Sequence, residues 1–212
     1  MSQDQLQWMS TGFLAAMTAS MLLAAWFVAR VGLRSTFCGA VILFIFASVI
    51  AGLSSTHTEL IMMRIVQGAA AGILQPLSMI ALFSVFPPHQ RGMAMGIFSI
   101  GVVLAPALGP TVGGILIEAY NWRVVFFFAL PFSVAGVLLG LNYLPGRSAK
   151  TVSQPFDIFG FILLCAALVL LLTGLAYGKR DGWTSAYILS LLSSGIVAAT
   201  AFIAWQTIAP HP

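Results

Sequence analysis

Gly96 to Gly114 reads G-I-F-S-I-G-V-V-L-A-P-A-L-G-P-T-V-G-G, inside a longer stretch, Arg91 to Ala119, with no charged residue between Arg91 and Glu118. As a helix, such a run is long enough to cross the roughly 30 Å hydrocarbon layer of a bilayer. Ala105, Gly109 and Gly113 recur at i, i+4 and i+8, so one face of that helix carries almost no side chain and another backbone can approach closely. Pro106 and Pro110 stack beside them. Each removes a backbone hydrogen bond and favours a bend, which a membrane tolerates only where neighbours or water cover the freed carbonyls. The stretch reads as a membrane helix built to bend against a partner.

Outward from this stretch the pattern repeats. Of the 212 residues, 60% are hydrophobic and 7% charged, whereas an ordinary soluble domain carries roughly 25% charged residues. A soluble enzyme with a charged surface is excluded. Polar punctuation divides the chain into about seven spans, at roughly Trp8 to Ala29, Arg34 to Leu53, Thr58 to Phe86, Arg91 to Ala119, Trp122 to Tyr143, Asp157 to Gly178 and Ser185 to Gln206. The expected fold is an all-α integral membrane bundle. It forms a single, partial transmembrane domain over 1–212, with an N-terminal bundle at about 8–143, a loop at about 144–156 and two further helices at about 157–206. Trp8, Trp122, Trp183 and Trp205 fall near predicted ends, as do Tyr120, Tyr143 and Tyr177, where amphipathic rings favour the interface.

Nine Lys/Arg and five Asp/Glu give a net charge of +4. They are scattered singly through short connections and form no basic face, so nucleic acid is not an expected partner. One side of the membrane receives Arg30, Arg34, Arg91, Arg147 and Lys150, and the other Arg123, Lys179 and Arg180. The richer side should be cytoplasmic, which places Met1 outside. A chain starting outside without a cleavable signal is awkward to insert, so a preceding helix is expected to be missing, and truncation is expected at both ends.

Arg64 alone among the charges sits within a span. It belongs to L-I-M-M-R-I-V-Q-G-A-A-A-G-I-L-Q-P, Leu60 to Pro76, where Arg64, Gly68, Ala71 and Gln75 share one helix face that should look into the bundle. An intramembrane Arg costs on the order of 3 kcal/mol on insertion scales, so a functional role is the default reading, with Gln67 and Gln75 adding polar groups deeper in the same helix. The competing reading is that Arg64, about 9 Å from the helix end at 1.5 Å per residue, snorkels to the interface. His57, His89 and His211 read as solvated, with no metal site expected. Met17, Met21, Met79 and Phe126 to Phe128 read as packing or lipid-facing residues. Cys38 and Cys165 read as small core residues. No catalytic constellation, phosphate-cradling loop or cofactor motif is present in the sequence, and no enzyme is expected.

The arginine and glycine runs together resemble the major facilitator superfamily, and within it the fourteen-helix drug:proton antiporters of the EmrB/QacA type. Leu60, Arg64, Gln67 and Gly68 fit the pattern L-x3-R-x2-Q-G. Gly96, Gly109, Pro110, Gly113 and Gly114 fit the antiporter pattern G-x8-G-x3-G-P-x2-G-G, with Ala105 replacing the second glycine. Further agreement lies in F-P-P-H-Q-R-G-M-A at Phe86 to Ala94, N-W-R-V-V-F-F at Asn121 to Phe127, F-D-I-F-G at Phe156 to Gly160 and D-G-W at Asp181 to Trp183. The cytoplasmic loop pattern G-x-L-A-D-R-x-G-R-K becomes A-W-F-V-A-R-V-G-L-R. Arg30, Gly32 and Arg34 remain, but Ala25 and Ala29 stand where glycine and aspartate are usual.

The resemblance implies that the chain covers helices two to eight of a multi-pass inner-membrane exporter. It further implies proton-coupled efflux of amphiphilic small molecules by alternating access of two bundles. Arg64 would relay or sense the proton, and the Gly96 to Gly114 helix would seal the cavity against a C-terminal bundle absent from this chain. Membrane lipid, protons, the amphiphilic substrate, that second bundle and a periplasmic adaptor are the implied partners. Export of siderophores or amino acids, or a non-transporting remnant or assembly subunit on the same scaffold, are the alternatives.

Overall fold

The computed structural model describes residues 3–146 and 156–208, with side chains from Trp8 onward. Arg147, Lys150, His211 and the side chain of Asp4 lie outside what is described, so the charge count above rests partly on undescribed positions. The described chain forms helices α1 (Gln3–Val31), α2 (Leu33–Leu53), α3 (His57–Val85), α4 (Arg91–Ala119), α5 (Val124–Phe128), α6 (Leu130–Tyr143), α7 (Ile158–Asp181) and α8 (Ala186–Ile208). A single 3₁₀ turn, Pro88–Gln90, precedes α4. No strand occurs among the described residues. Seven segments, with α5 and α6 taken together, are long and apolar enough to cross a membrane. They follow the predicted spans closely, because an uninterrupted apolar stretch can satisfy its backbone in lipid only as a helix.

Local chemistry sets the joints. Gly32, with φ of 88°, is the one residue between α1 and α2, in a left-handed conformation that disfavours side chains. The start of α3 is a capping arrangement in which Glu59 N donates to Thr56 Oγ1 at 3.2 Å and Ser55 N donates to Glu59 Oε2 at 3.1 Å. At the other end of α3, Arg91 donates to the carbonyls of Phe83 (2.9 Å) and Phe86 (3.3 Å), covering acceptors that the helix leaves unpaired. The fifth predicted span is continuous in the sequence reading but forms two helices, breaking between Phe128 and Leu130. Pro131 stands in the first turn of α6, where its missing N–H is tolerated, whereas within a continuous helix it would orphan a carbonyl.

The most extensive contact is between α1 and α3, followed by the α7–α8 hairpin and α2 against α3; α6 lies on α2, and α7 also touches α1. Small residues make the central seam possible. A Cβ placed on Gly68 would overlap the backbone carbonyl of Phe13, and one on Gly72 that of Met17. Two apolar clusters close the bundle: Ala24, Leu33, Leu77 and Leu144 at one end, and Ala51, Leu60 and Phe126 at the other. Large side chains such as Phe46, Leu53, Leu138 and Ile203 are exposed, as expected when lipid tails are the solvent.

α4 is different. Its main contacts are with α3, α5 and the 3₁₀ turn, all of them slight, and Ala94 is its single buried residue.

Candidate functional site

Arg64 lies on α3 with its guanidinium carbon 4.6 Å from the centre of the Phe126 ring, a cation–π distance. It has no hydrogen bond to any described residue. It opens onto two cavities. One, of ≈ 410 Å³, runs from the α2–α3 connection (Ser54 to His57) past Leu60 to Trp122, Arg123 and Phe126. The other, of ≈ 440 Å³, is lined by Met9, Ser10, Phe13 and Leu14 of α1. The half-buried Arg64 thus borders both cavities and lies near the α2–α3 connection.

The other arginines behave differently. Arg34 Nε donates to Leu144 O at 2.7 Å, closing the C-terminal end of α6. Arg123 Nη2 donates to Ser54 O at 3.0 Å, at the end of α2, and its guanidinium lies 4.5 Å from the Trp122 ring. Arg30 stacks over Trp26 at 5.1 Å. A cation at a helix C-terminus offsets the negative end of the macrodipole and the orphan carbonyls there. Arg30, Gly32 and Arg34, predicted as a loop motif, therefore act as a stacked cation, a left-handed joint and a helix-end clamp. With Ala29 in the aspartate position, no carboxylate takes part among these contacts.

The polar residues predicted along α3 are not brought together. Gln67 is 3% exposed and donates through Nε2 to Ser48 Oγ on α2 at 2.7 Å, while its Oε1 has no partner. Gln75 is exposed and lines a separate cavity of ≈ 470 Å³ with Met17, Phe37, Phe44 and Phe132. Eleven positions along a helix separate Arg64 and Gln75 by roughly 16 Å. Of the predicted face, Gly68 serves the α1 contact. Its helical neighbour Gly72, not singled out from the sequence, does the same one turn later.

Among the residues predicted for the antiporter helix, Gly96, Gly109, Gly113 and Gly114 have nothing within 4 Å of where a Cβ would sit. Ala105, Pro106 and Pro110 lie on the same helix, and both prolines are accommodated inside it. Sequence reasoning passed over Arg123, Ser54 and Trp122 as site residues. Asn-Trp-Arg at Asn121 to Arg123 was visible, but its approach to Ser54 spans 69 positions and leaves no local signal. It also missed the role of Asp157, whose carboxylate caps α7 through Gly160 N (2.9 Å) and accepts from Trp205 Nε1 (3.0 and 3.1 Å) and Gln206 Nε2 (3.3 Å) at the far end of α8. No group of three or more potential metal ligands occurs among the described residues.

Helix order, the arginine–glutamine–glycine run of α3 and the glycine–proline run of α4 define a transporter-type membrane bundle. Residues 1–157 match the Major Facilitator Superfamily profile, and the chain belongs to that superfamily. It is similar over its whole length to the multidrug export protein EmrB of Escherichia coli (strain K12), at 35% identity, covering 41% of that protein. Identity to the tetracenomycin C resistance and export protein of Streptomyces glaucescens is 32% over the whole chain, covering 39% of that protein. It is also 32% identical, over 97% of its length, to the uncharacterized MFS-type transporter YhcA of Bacillus subtilis (strain 168), covering 38% of it. The chain thus spans 38–41% of the length of these relatives.

Proposed function

We propose that this chain is part of a proton-coupled exporter that moves amphiphilic compounds out across the cytoplasmic, or inner, membrane by alternating access. The observation that carries this reading is the full-length similarity to export proteins, extending beyond the superfamily match through α7 and α8. In this reading the bundle rocks against a second one, and Arg64, with its accessible unpaired guanidinium, acts in the proton or substrate pathway with Gln67 and Gln75. The open glycine face of α4, Gly96 to Gly114, seals against the second bundle, and a periplasmic adaptor extends the path outward. Coupling requires the proton and the substrate to favour opposite states, because only differential affinity shifts a conformational equilibrium.

The test uses everted membrane vesicles carrying the complete native polypeptide and loaded with an acid-interior proton gradient. Adding ethidium should collapse part of the gradient, and Arg64→Ala should lower that exchange about tenfold or more at equal abundance. A gradient unaffected by ethidium and other amphiphiles overturns proton-coupled export. Equal exchange by wild type and Arg64→Ala overturns the role of Arg64 alone.

A further inference from the structure

We infer that the slot of ≈ 290 Å³ between α1, α3 and α7 holds one acyl chain of a membrane glycerolipid. The inference stands apart from the export reading and concerns a resident lipid, not cargo. On α1 the wall is Trp8, Thr11, Gly12, Ala15, Ala16 and Ala19, a single helix face that beyond Thr11 carries nothing larger than a methyl group. Cys165, Val169 and Thr173 face it from α7 at i, i+4 and i+8, and Ile65 of α3 forms the back, against Gly12. The Trp8 and Tyr177 rings meet with centres 6.2 Å apart. From that contact, the antiparallel course of the two helices puts Thr11 level with Thr173 and Ala19 level with Cys165. A face of small residues would let the two backbones close on each other, yet over this stretch they stand apart.

Shape and chemistry select the occupant. From Trp8 to Ala19 the slot follows about 16 Å of helix, so ≈ 290 Å³ gives it a section of about 18 Å², a bore for one extended hydrocarbon chain and not for a ring system. Helices in lipid associate by packing, and a slot between them forfeits those contacts unless hydrocarbon fills it. No charged residue lines it, and its polar side chains, Trp8, Thr11 and Thr173, lie at one end. Elsewhere in the bundle hydroxyls fold back onto the carbonyl four residues earlier, as at Thr18, Thr36, Ser78 and Ser133. Thr173 is 7% exposed, and neither its hydroxyl nor that of Thr11 makes a hydrogen bond among the described residues. Burying such a donor without an acceptor is costly, and an ester carbonyl at this depth accepts from it. One turn beyond Thr173, Arg180 lies 4.6 Å from the Tyr177 ring, which is the aromatic and cationic setting of the headgroup level. Cation and rings, then hydroxyls, then small apolar side chains down to Ala19 and Cys165 follow the order headgroup, ester, tail. The cavities bordered by Arg64 or Gln75 lack this order.

The experiment uses the complete native polypeptide in phosphatidylcholine nanodiscs doped with an analogue whose acyl chain carries a photoactivatable diazirine at its middle. After irradiation, peptide mass spectrometry maps the adducts. They are expected on residues 15–19 and 165–169 and, from surrounding lipid, at exposed positions such as Phe46 and Leu138. Ala16→Phe fills the slot and should lower the slot adducts about tenfold while those at Phe46 and Leu138 persist. Thr173→Val keeps the shape and removes the donor. It should lower slot labelling by the ester-linked analogue about fivefold and leave labelling by an ether-linked counterpart unchanged, a readout that survives if the bulky variant fails to fold.

A sample labelled at Phe46 and Leu138 but not in the slot means that α7 closes on α1, and overturns the inference. Slot adducts that Ala16→Phe leaves unchanged overturn it too. Suppression of the slot adducts by excess ethidium, with those at Phe46 and Leu138 unaltered, assigns the slot to soluble compounds and rejects the resident lipid. Ester and ether labelling that respond alike to Thr173→Val remove the glycerolipid assignment.

Discussion

α3 and α4 are each 29 residues long, each holds glycines at helical spacing, and each carries proline without breaking. Yet α3 lies at the centre of the bundle and α4 at its margin. In α3, Gly68 and Gly72 bring the backbone of α1 so near that a methyl group has no room. In α4, five glycines, Gly96 to Gly114, face open space. The difference shows that a small-residue stripe gives a membrane helix the capacity for close approach without fixing the partner. The partner of α3 is another segment of this chain. The glycine stripe of α4 meets none among the described residues, and the export reading assigns it the second bundle.

Substitutions at matched positions can break this contrast. Gly72→Leu should be the most damaging, because the displaced atom is the Met17 carbonyl, which cannot rotate away; a cost of about 3 kcal/mol is expected. In detergent-solubilised protein it should appear as a large drop in the thermal unfolding midpoint, and an unchanged midpoint would mean that α1 and α3 do not meet here. Gly109→Leu and Gly113→Leu should leave that midpoint and membrane insertion unaltered while abolishing dye efflux by the complete polypeptide. Normal efflux by a properly inserted variant would refute a close-packing role for α4. The smallest effect is expected at the α2–α6 edge, where Arg34→Gln removes the clamp on Leu144 O and should cost about 1–2 kcal/mol in the same unfolding assay, with Arg34→Lys intermediate.

The helices were legible because lipid imposes a single rule on the backbone, and length with apolarity is enough to apply it. The break before Pro131 was not. Pro76, Pro106 and Pro110 stay inside continuous helices, so a proline in the sequence states that a hydrogen bond is lost but not whether the chain bends or parts. Arg64 was visible from its position alone, since a charge inside an apolar run has few bland explanations. Its surroundings were not visible. Phe126, Trp122 and Arg123 reach it from more than fifty positions away, and Ser54 from the preceding connection. Gln67 and Gln75 carried the same sequence signal, yet one is paired with Ser48 in the interior and the other opens into a different cavity. Polar residues on one helix share an axis without sharing a site.

The carboxylate of Asp157 meets three donors at once, one where α7 begins and two where α8 ends. The Gly182 turn, with Trp183 folded over Gly178, closes the opposite end. A two-rod frame fastened at both ends resists splaying, so thermal breathing that parts α7 from α8 must strip an anion of several partners in a single event. Tilting the pair as one body costs none of those bonds. Phe156 rests 5.3 Å from the Trp26 ring near the C-terminal end of α1, so the pair also meets the first helix, and tilting as one body, not splaying, is the motion that these bonds leave open.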